Sequence, residues 1–238
     1  MFLELPNSIT PKNIDYMLAA SLISYSVPPL KLTDTGEKAL NWMSDFHVRH
    51  LPVVEDGKFL GIISEDEILN FLDPSTELNK SQPDLIDKKV YSNQHLYDIM
   101  QLLVDANLTV VAVLNEEEEY LGLITLENLI KQLANTASIT HPGGVLVLEM
   151  NYRDYSLGEI ARIVESEKAV ILSSFISSPY GTESLELTLK LNKKDLKHVV
   201  ATLERFGYQI KASFYESDYL DSLKDRYDAL MRFLDLDV

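Results

Sequence analysis

The sequence predicts an α/β (α+β) chain with two parts, a pair of similar units followed by a smaller domain of βαββαβ order. The first observation is an internal repeat, because residues 30–69 and 90–130 carry the same order of apolar and amphipathic stretches. The second is a change of hydrophobic pattern after the Pro142-Gly143-Gly144 turn. The chain has 238 residues, of which 46% are hydrophobic, so each part is long enough to bury its own core.

Each repeat reads as a short apolar strand, an amphipathic helix, two strands joined by a turn, and a closing helix. The first repeat opens at Leu30-Lys31-Leu32 and the second at Val90-Tyr91. Apolar residues recur at helical spacing in both copies, at Ala39, Leu40, Met43 and Phe46 and at Ile99, Met100, Leu103 and Ala106. The paired strands follow at residues 51–54 and 59–63, and at residues 110–114 and 120–124.

The two copies are in register around a glycine in their last strand. Gly61 and Gly122 are 61 residues apart, and so are Ser64 and Thr125, which precede the closing helices. The amphipathic helices of the two copies are 60 residues apart, because the turn between the paired strands has one additional residue in the second copy. Units of this size leave one apolar sheet face uncovered, so we expect the two copies to cover each other.

A helix is predicted before the first repeat. Thr10-Pro11 has the pattern of an N-cap followed by proline at the first helical position, and an apolar stripe continues to Leu22. We therefore assign residues 1–134 to the repeat pair and the polar stretch 135–144 to a linker.

The second part, residues 145–216, predicts a ferredoxin-like domain. A strand at Val145–Met150 precedes a helix that begins with the capping-box spacing of Ser156 and Glu159. Two strands, at residues 169–178 and 183–191, form a hairpin. A helix over residues 195–206 and a last strand over residues 208–215 complete the βαββαβ order.

The tail, residues 217–238, predicts a C-terminal helix. Its apolar residues step by three and four, at Leu220, Leu223, Tyr227, Leu230 and Leu234. About two heptads are too short to hold a coiled coil alone. Packing on its own domain and contact with a second subunit therefore both remain open.

Charge and composition exclude several classes of function. The chain carries 21 basic and 37 acidic residues, a net charge of −16, which disfavours nucleic acid and membrane surfaces as partners. It contains no cysteine, and its N-terminus lacks the basic region of a secretory signal. The five histidines are scattered and no nucleophile or phosphate-loop signature occurs, so we expect a cytoplasmic protein that is not an enzyme.

The repeats resemble CBS domains, the paired units of a Bateman module. The resemblance rests on three stretches, residues 49–54, residues 61–64 and residues 122–125, with the first domain at about 11–72 and the second at about 84–131. It implies a non-enzymatic regulatory protein that senses an adenosyl ligand such as AMP, ATP or S-adenosylmethionine. A protein partner would receive the signal.

The resemblance also selects candidate ligand-binding residues: Arg49, His50, Gly61, Ser64, Glu67, Thr125 and Asn128. Glycine allows close approach of the backbone, a hydroxyl beside a helix start can bond phosphate or ribose, and a carboxylate one turn later can accept both ribose hydroxyls. Arg49 and His50 would face phosphate. Alternatively, Ser64 and Thr125 are only N-caps, and Arg49 is a surface residue or an ion-pair partner of the abundant carboxylates.

The second part is similar to ACT domains, which bind amino acids or pair with one another. The family's ligand-binding turn carries a glycine where this chain has Asp154-Tyr155, so pairing into a homodimer is favoured over amino-acid binding. This leaves two hypotheses: an adenosyl-ligand sensor, or a scaffold that has lost its ligand and acts through dimerisation and protein contacts.

Overall fold

The computed structural model describes residues 17–178 and 183–214, and these form two compact units that divide between Gln132 and Leu133. The tail helix predicted over residues 217–238 lies outside the described residues. So does most of the helix predicted from Thr10, of which the structure describes a short final turn, α1 (Ala19–Leu22).

The first repeat follows the predicted order. Its elements are α2 (Gly36–Asp45), β1 (His50–Glu55), β2 (Lys58–Ser64) and α3 (Glu65–Leu69), followed by a short helix that was not predicted, α4 (Leu78–Ser81). The strand predicted at Leu30–Leu32 is reduced to one bridge, in which Leu30 pairs in parallel with Val53. Pairing stops there because the Leu32 N–H, the next that would face β1, donates instead to the Glu55 carboxylate at 3.2 Å. The Lys31 N–H donates to the Asp34 carboxylate, which starts a turn.

The second repeat has the same order with a complete first strand. Its elements are β3 (Lys89–Tyr91), α5 (Leu96–Asp105), β4 (Val110–Leu114), β5 (Tyr120–Thr125) and α6 (Leu126–Thr136). β3 pairs in parallel with β4, and β4 pairs antiparallel with β5. The matching first repeat has β1 antiparallel to β2.

The two repeats exchange short segments at their sheet edges. Ile86, on the way into the second repeat, pairs with Ile62 of the first, and Ser24 pairs with Leu123 of the second. The exchange reaches the cores, since Ile62 is fully buried in the second repeat's apolar cluster and Leu123 in the first repeat's. Each repeat therefore completes the core of the other.

The second unit has the predicted ferredoxin-like fold. Its elements are β6 (Val145–Asn151), α7 (Leu157–Ser166), β7 (Ile171–Ser177), β8 (Ser184–Leu191), α8 (Lys197–Arg205) and β9 (Gln209–Phe214). The strands form one antiparallel sheet in the order β7-β8-β6-β9. Alternate residues of β8, beginning at Leu185, are buried with the apolar sides of α7 and α8, as the period-two pattern requires.

Candidate functional site

The candidate residues of each repeat meet where its hairpin ends. Strand register places His50 opposite Ser64 in the first repeat, and Val110 opposite Thr125 in the second. One residue further, the Glu65 N–H donates to the Arg49 carbonyl at 2.8 Å, and the Leu126 N–H donates to the Thr109 carbonyl at 3.0 Å. Both helix starts are thus attached to the residue that precedes the first hairpin strand.

We call these two arrangements the half-sites. The first half-site comprises Arg49, His50, Gly61, Ser64 and Glu67. The second half-site comprises the equivalent residues Thr109, Val110, Gly122, Thr125 and Asn128. The first half-site carries a guanidinium and a carboxylate, whereas the second has neither.

The glycines of both half-sites admit the exchanged segments. Gly61 and Gly122 have φ angles of +154° and +153°, and each lies at a β-bulge. A Cβ at Gly61 would lie 2.6 Å from Leu85 Cβ, and one at Gly122 would lie 2.4 Å from Ile23 Cγ2. Close packing of a neighbouring segment thus requires glycine here, and the ligand role assigned from sequence stays a prediction.

Both hydroxyls cap helices. Ser64 Oγ accepts from the Glu67 N–H at 3.1 Å, and Thr125 Oγ1 accepts from the Asn128 N–H at 3.2 Å. Thr125 is only 8% exposed, so its hydroxyl lies almost inside the second repeat. A hydroxyl that accepts from the backbone retains a proton to donate, so capping does not exclude contact with a ligand.

Glu67 faces the segment that leads into the second repeat. Its Oε1 accepts from the Asp84 N–H at 2.9 Å, and the side chain is partly buried. It also lines a cleft of about 380 Å³ between α3 and α4, together with Asn70, Phe71, Asp73, Thr76 and Lys80. A carboxylate with one oxygen already bonded to backbone has less capacity for two ribose hydroxyls.

Arg49 lies against the first turn of α3. Its Nε donates to Glu65 Oε2 at 2.9 Å and its Nη2 donates to Asp66 Oδ1 at 3.1 Å. The hydrogen bond to Glu65, followed by the charge of Asp66, raises the pKa of the guanidinium above its usual value. Arg49 and Asp66 are largely exposed and Glu65 is partly exposed, so these ion pairs contribute little stability and are readily exchanged.

His50 joins the two repeats through Thr109. The Thr109 N–H donates to His50 Nδ1 at 3.2 Å, and Thr109 Oγ1 lies 3.0 Å from the same nitrogen. Thr109 Oγ1 also accepts from the Arg49 N–H at 3.0 Å. Because Nδ1 accepts a backbone proton, the neutral ring carries its proton on Nε2. Burial, followed by the positive charge of Arg49, lowers the pKa of His50.

The lowered pKa of His50 predicts a loss of stability on mild acidification. The unfolded chain binds a proton near the ordinary value of 6.5 and the folded chain only at lower pH. The stability that the neutral His50 ring contributes is complete above pH 6.5 and is lost as pH falls through the pKa of the folded state.

His50→Asn keeps an acceptor for the Thr109 N–H and cannot titrate, so its urea midpoint should depend less on pH between about 5 and 8 than that of the wild type. His198→Asn, on the exposed side of α8, is the control. Equal pH profiles for wild type and His50→Asn would remove His50 from this role.

Sequence reasoning missed three contributors to the first half-site. Glu65 and Asp66 pair with Arg49, and the Asp84 backbone bonds Glu67. The run of three acidic residues directly after Ser64 is the signal that could have indicated the first two, because the hairpin returns the chain to the residue before its first strand. No local pattern indicates Asp84, because that contact depends on the exchanged segment.

The second unit has its own cleft, of about 590 Å³, between the end of β6 and the turn before β9. Tyr155 lines it and also packs on the apolar core, and Ser156 Oγ caps α7 by accepting from the Glu159 N–H at 3.4 Å. These contacts agree with the turn and cap functions predicted for this loop. Amino-acid binding here stays a prediction.

Comparison with known families identifies the first unit. Residues 19–74 and 82–135 each match the family model of the CBS domain, so the chain contains a tandem pair of CBS domains. The antiparallel sheet of the second unit is consistent with the predicted ACT-like domain.

Several solved structures are similar over about half of the chain. A CBS domain pair/ACT domain protein from Thermotoga maritima is 18% identical, with 50% of this chain and 98% of that chain covered and a TM-score of 0.45. CBSX2 in complex with AMP is 15% identical (50% and 96% covered, TM-score 0.43). The cytosolic domain of the Mg²⁺ channel MgtE in complex with ATP is 19% identical (50% of each chain covered, TM-score 0.42).

Across residues 17–178 and 183–214, no helix has the length and apolar character needed to cross a membrane. Within the same ranges, no three His, Asp or Glu side chains are grouped so that they could hold a metal ion.

Proposed function

We propose that the CBS pair is a non-enzymatic sensor that binds an adenosyl ligand, AMP, ATP or S-adenosylmethionine, at the first half-site. The observation that carries this is the backbone pairing at the hairpin end. It sets His50 opposite Ser64 and Arg49 against the start of α3, the helix that Ser64 caps and that carries Glu67. An adenosyl ligand presents a ribose diol for the carboxylate. A phosphorylated one adds an anion for the guanidinium.

The first half-site is a better candidate than the second. The second has Thr109 and Val110 where the first has Arg49 and His50, and Asn128 offers one acceptor oxygen in place of a carboxylate. Thr125 is also more deeply buried than Ser64. One ligand for each CBS pair is therefore the expected stoichiometry.

The signal would travel through the segment that Glu67 bonds. The Asp84 N–H donates to Glu67, and Ile86, two residues later, pairs with Ile62 of the first repeat. A ribose that takes over the Glu67 oxygen frees the Asp84 backbone, just before β3 of the second repeat. Ligand binding would then favour one arrangement of the two repeats, and a partner protein or the ACT-like domain would respond to it.

Removing the ribose-facing charge tests this site. Glu67→Gln keeps an acceptor for the Asp84 N–H but loses the carboxylate charge, so we expect at least about tenfold weaker binding of AMP in calorimetry. Ser64→Ala should weaken binding too, while Ser156→Ala removes an equivalent helix cap in the second unit and should leave affinity unchanged. Wild-type affinity in Glu67→Gln would show that AMP binds elsewhere.

A second candidate function is a ligand-free scaffold that acts through dimerisation and protein contacts. Three contacts favour it: Arg49 is held by two carboxylates, Glu67 is bonded to backbone, and the space beside Gly61 is filled by Leu85. This candidate predicts a homodimer by light scattering and no thermal shift with AMP, ATP or S-adenosylmethionine. A shift of several degrees with one of them would decide for the sensor.

A further inference from the structure

The first turn of α3 carries three acidic residues, which is unusual for a site that would receive phosphate. Glu65, Asp66 and Glu67 follow Ser64 directly, and Arg49 forms ion pairs with the first two. Glu65 and Asp66 each bind a different nitrogen of the guanidinium, and Glu67 turns towards Asp84. Two carboxylates therefore occupy the guanidinium edge that an anionic ligand would need.

A ligand phosphate near Ser64 would compete for the same group. The Glu65 N–H donates to the Arg49 carbonyl, so the two backbones stay adjacent and the Glu65 carboxylate remains within reach of the guanidinium while α3 stays in place. The phosphate would have to displace at least one carboxylate from Arg49 and would then lie beside a negative charge. Each added phosphate charge increases that repulsion, because these side chains are within a few ångströms of one another.

We propose that Glu65 and Asp66 are specificity-determining residues of the first half-site, which select adenosyl ligands of low negative charge by competing with phosphate for Arg49. This inference rests on the proposed function. It orders the ligands by charge, with adenosine and AMP tolerated and ATP disfavoured. The ion pairs are exposed, so the competition adjusts affinity and does not close the site.

The second repeat supplies a matched control. Glu127 is at the position of Asp66, but it pairs with Lys131 one turn along α6 and not with a residue of its half-site. Its neighbour Leu126 is at the position of Glu65 and is uncharged. Glu127→Gln therefore removes an equivalent acidic residue and leaves Arg49 and its partners unchanged.

The test compares adenosine, AMP and ATP as calorimetric probes of the wild type, Glu65→Gln/Asp66→Asn and Glu127→Gln. Removing two like charges should tighten ATP binding by about tenfold or more and AMP binding by a few-fold. Adenosine binding should change by less than about twofold, and Glu127→Gln should match the wild type for all three probes. Arg49→Gln added to the double variant should abolish the gain for ATP.

Each outcome separates the two proposals. Equal ATP affinity in the wild type and the double variant overturns the charge selection and leaves the sensor function intact. ATP binding by the double variant alone supports the selection while removing ATP from the ligands of the wild type. If neither protein binds any of the three probes, the selection is wrong, and the adenosyl site is wrong too if S-adenosylmethionine also fails to bind.

Discussion

Gly143→Ala should destabilise the second unit by about 3 kcal/mol or more, the largest effect we expect from adding a single methyl group. Gly143 has a φ of +151°, and a Cβ there would lie 2.0 Å from the Leu191 carbonyl oxygen. The contact cannot relax by a side-chain rotation, because the obstacle is backbone. The two backbone segments are also held together by two hydrogen bonds. The Leu191 N–H donates to the Gly144 carbonyl at 2.9 Å, and the Gly144 N–H donates to the Lys193 carbonyl at 2.7 Å.

Amide exchange of β6 and β8 measures this effect directly. A loss of about 3 kcal/mol should speed exchange of their most protected amides by about a hundredfold or more. Gly158→Ala is the matched control, because Gly158 lies in α7 and a Cβ there meets nothing within 4 Å. That substitution should slow exchange slightly, since alanine is favoured over glycine inside a helix by about 0.5–1 kcal/mol. Similar exchange rates in the two variants would show that the 143–144 turn can be rebuilt at little cost.

Local sequence patterns predict the elements of this fold well. The helical spacing of Ala39 and Met43 gives α2, and period-two alternation from Leu185 gives β8, because each pattern lies within one element. The repeat also relates the two hairpins to each other, since Gly61 and Gly122 each lie at a β-bulge and each have a positive φ. The ferredoxin-like sheet order follows from element order alone.

The exchange between the repeats could not be predicted in this way. Ser24 and Ile86 each make an isolated bridge, so neither belongs to a stretch with strand periodicity. The first half-site was only partly accessible for a similar reason. Its residue types are visible in the sequence, but the partners of Arg49 depend on how α3 starts, and the partner of Glu67 depends on the exchanged segment. The acidic run after Ser64 is visible in the sequence, but which of its members bind Arg49, and what Glu67 binds, is set by tertiary structure.

Ile62→Ala should destabilise both repeats together by about 2–5 kcal/mol. Ile62 belongs to β2 of the first repeat, yet it is fully buried in the cluster that also contains Val90, Ile99 and Val111 of the second. Its backbone pairs with Ile86 through two hydrogen bonds of 3.0 and 2.8 Å. The cavity left by the substitution opens in the core of one repeat, while the strand that supplies the side chain belongs to the other.

Two probes separate shared from independent unfolding. Trp42, the chain's only tryptophan, packs on the first repeat's cluster, so its fluorescence reports that repeat. Amide exchange of β4 and β5 reports the second. If the exchanged residues make the pair one cooperative unit, Ile62→Ala lowers the free energy of unfolding by the same amount at both probes. Leu60→Ala, at the neighbouring bulge with a side chain 41% exposed, should change neither by more than about 1 kcal/mol. A loss confined to β4 and β5 would mean that the repeats unfold separately, and a ligand at the first half-site could then not act on the second repeat through packing.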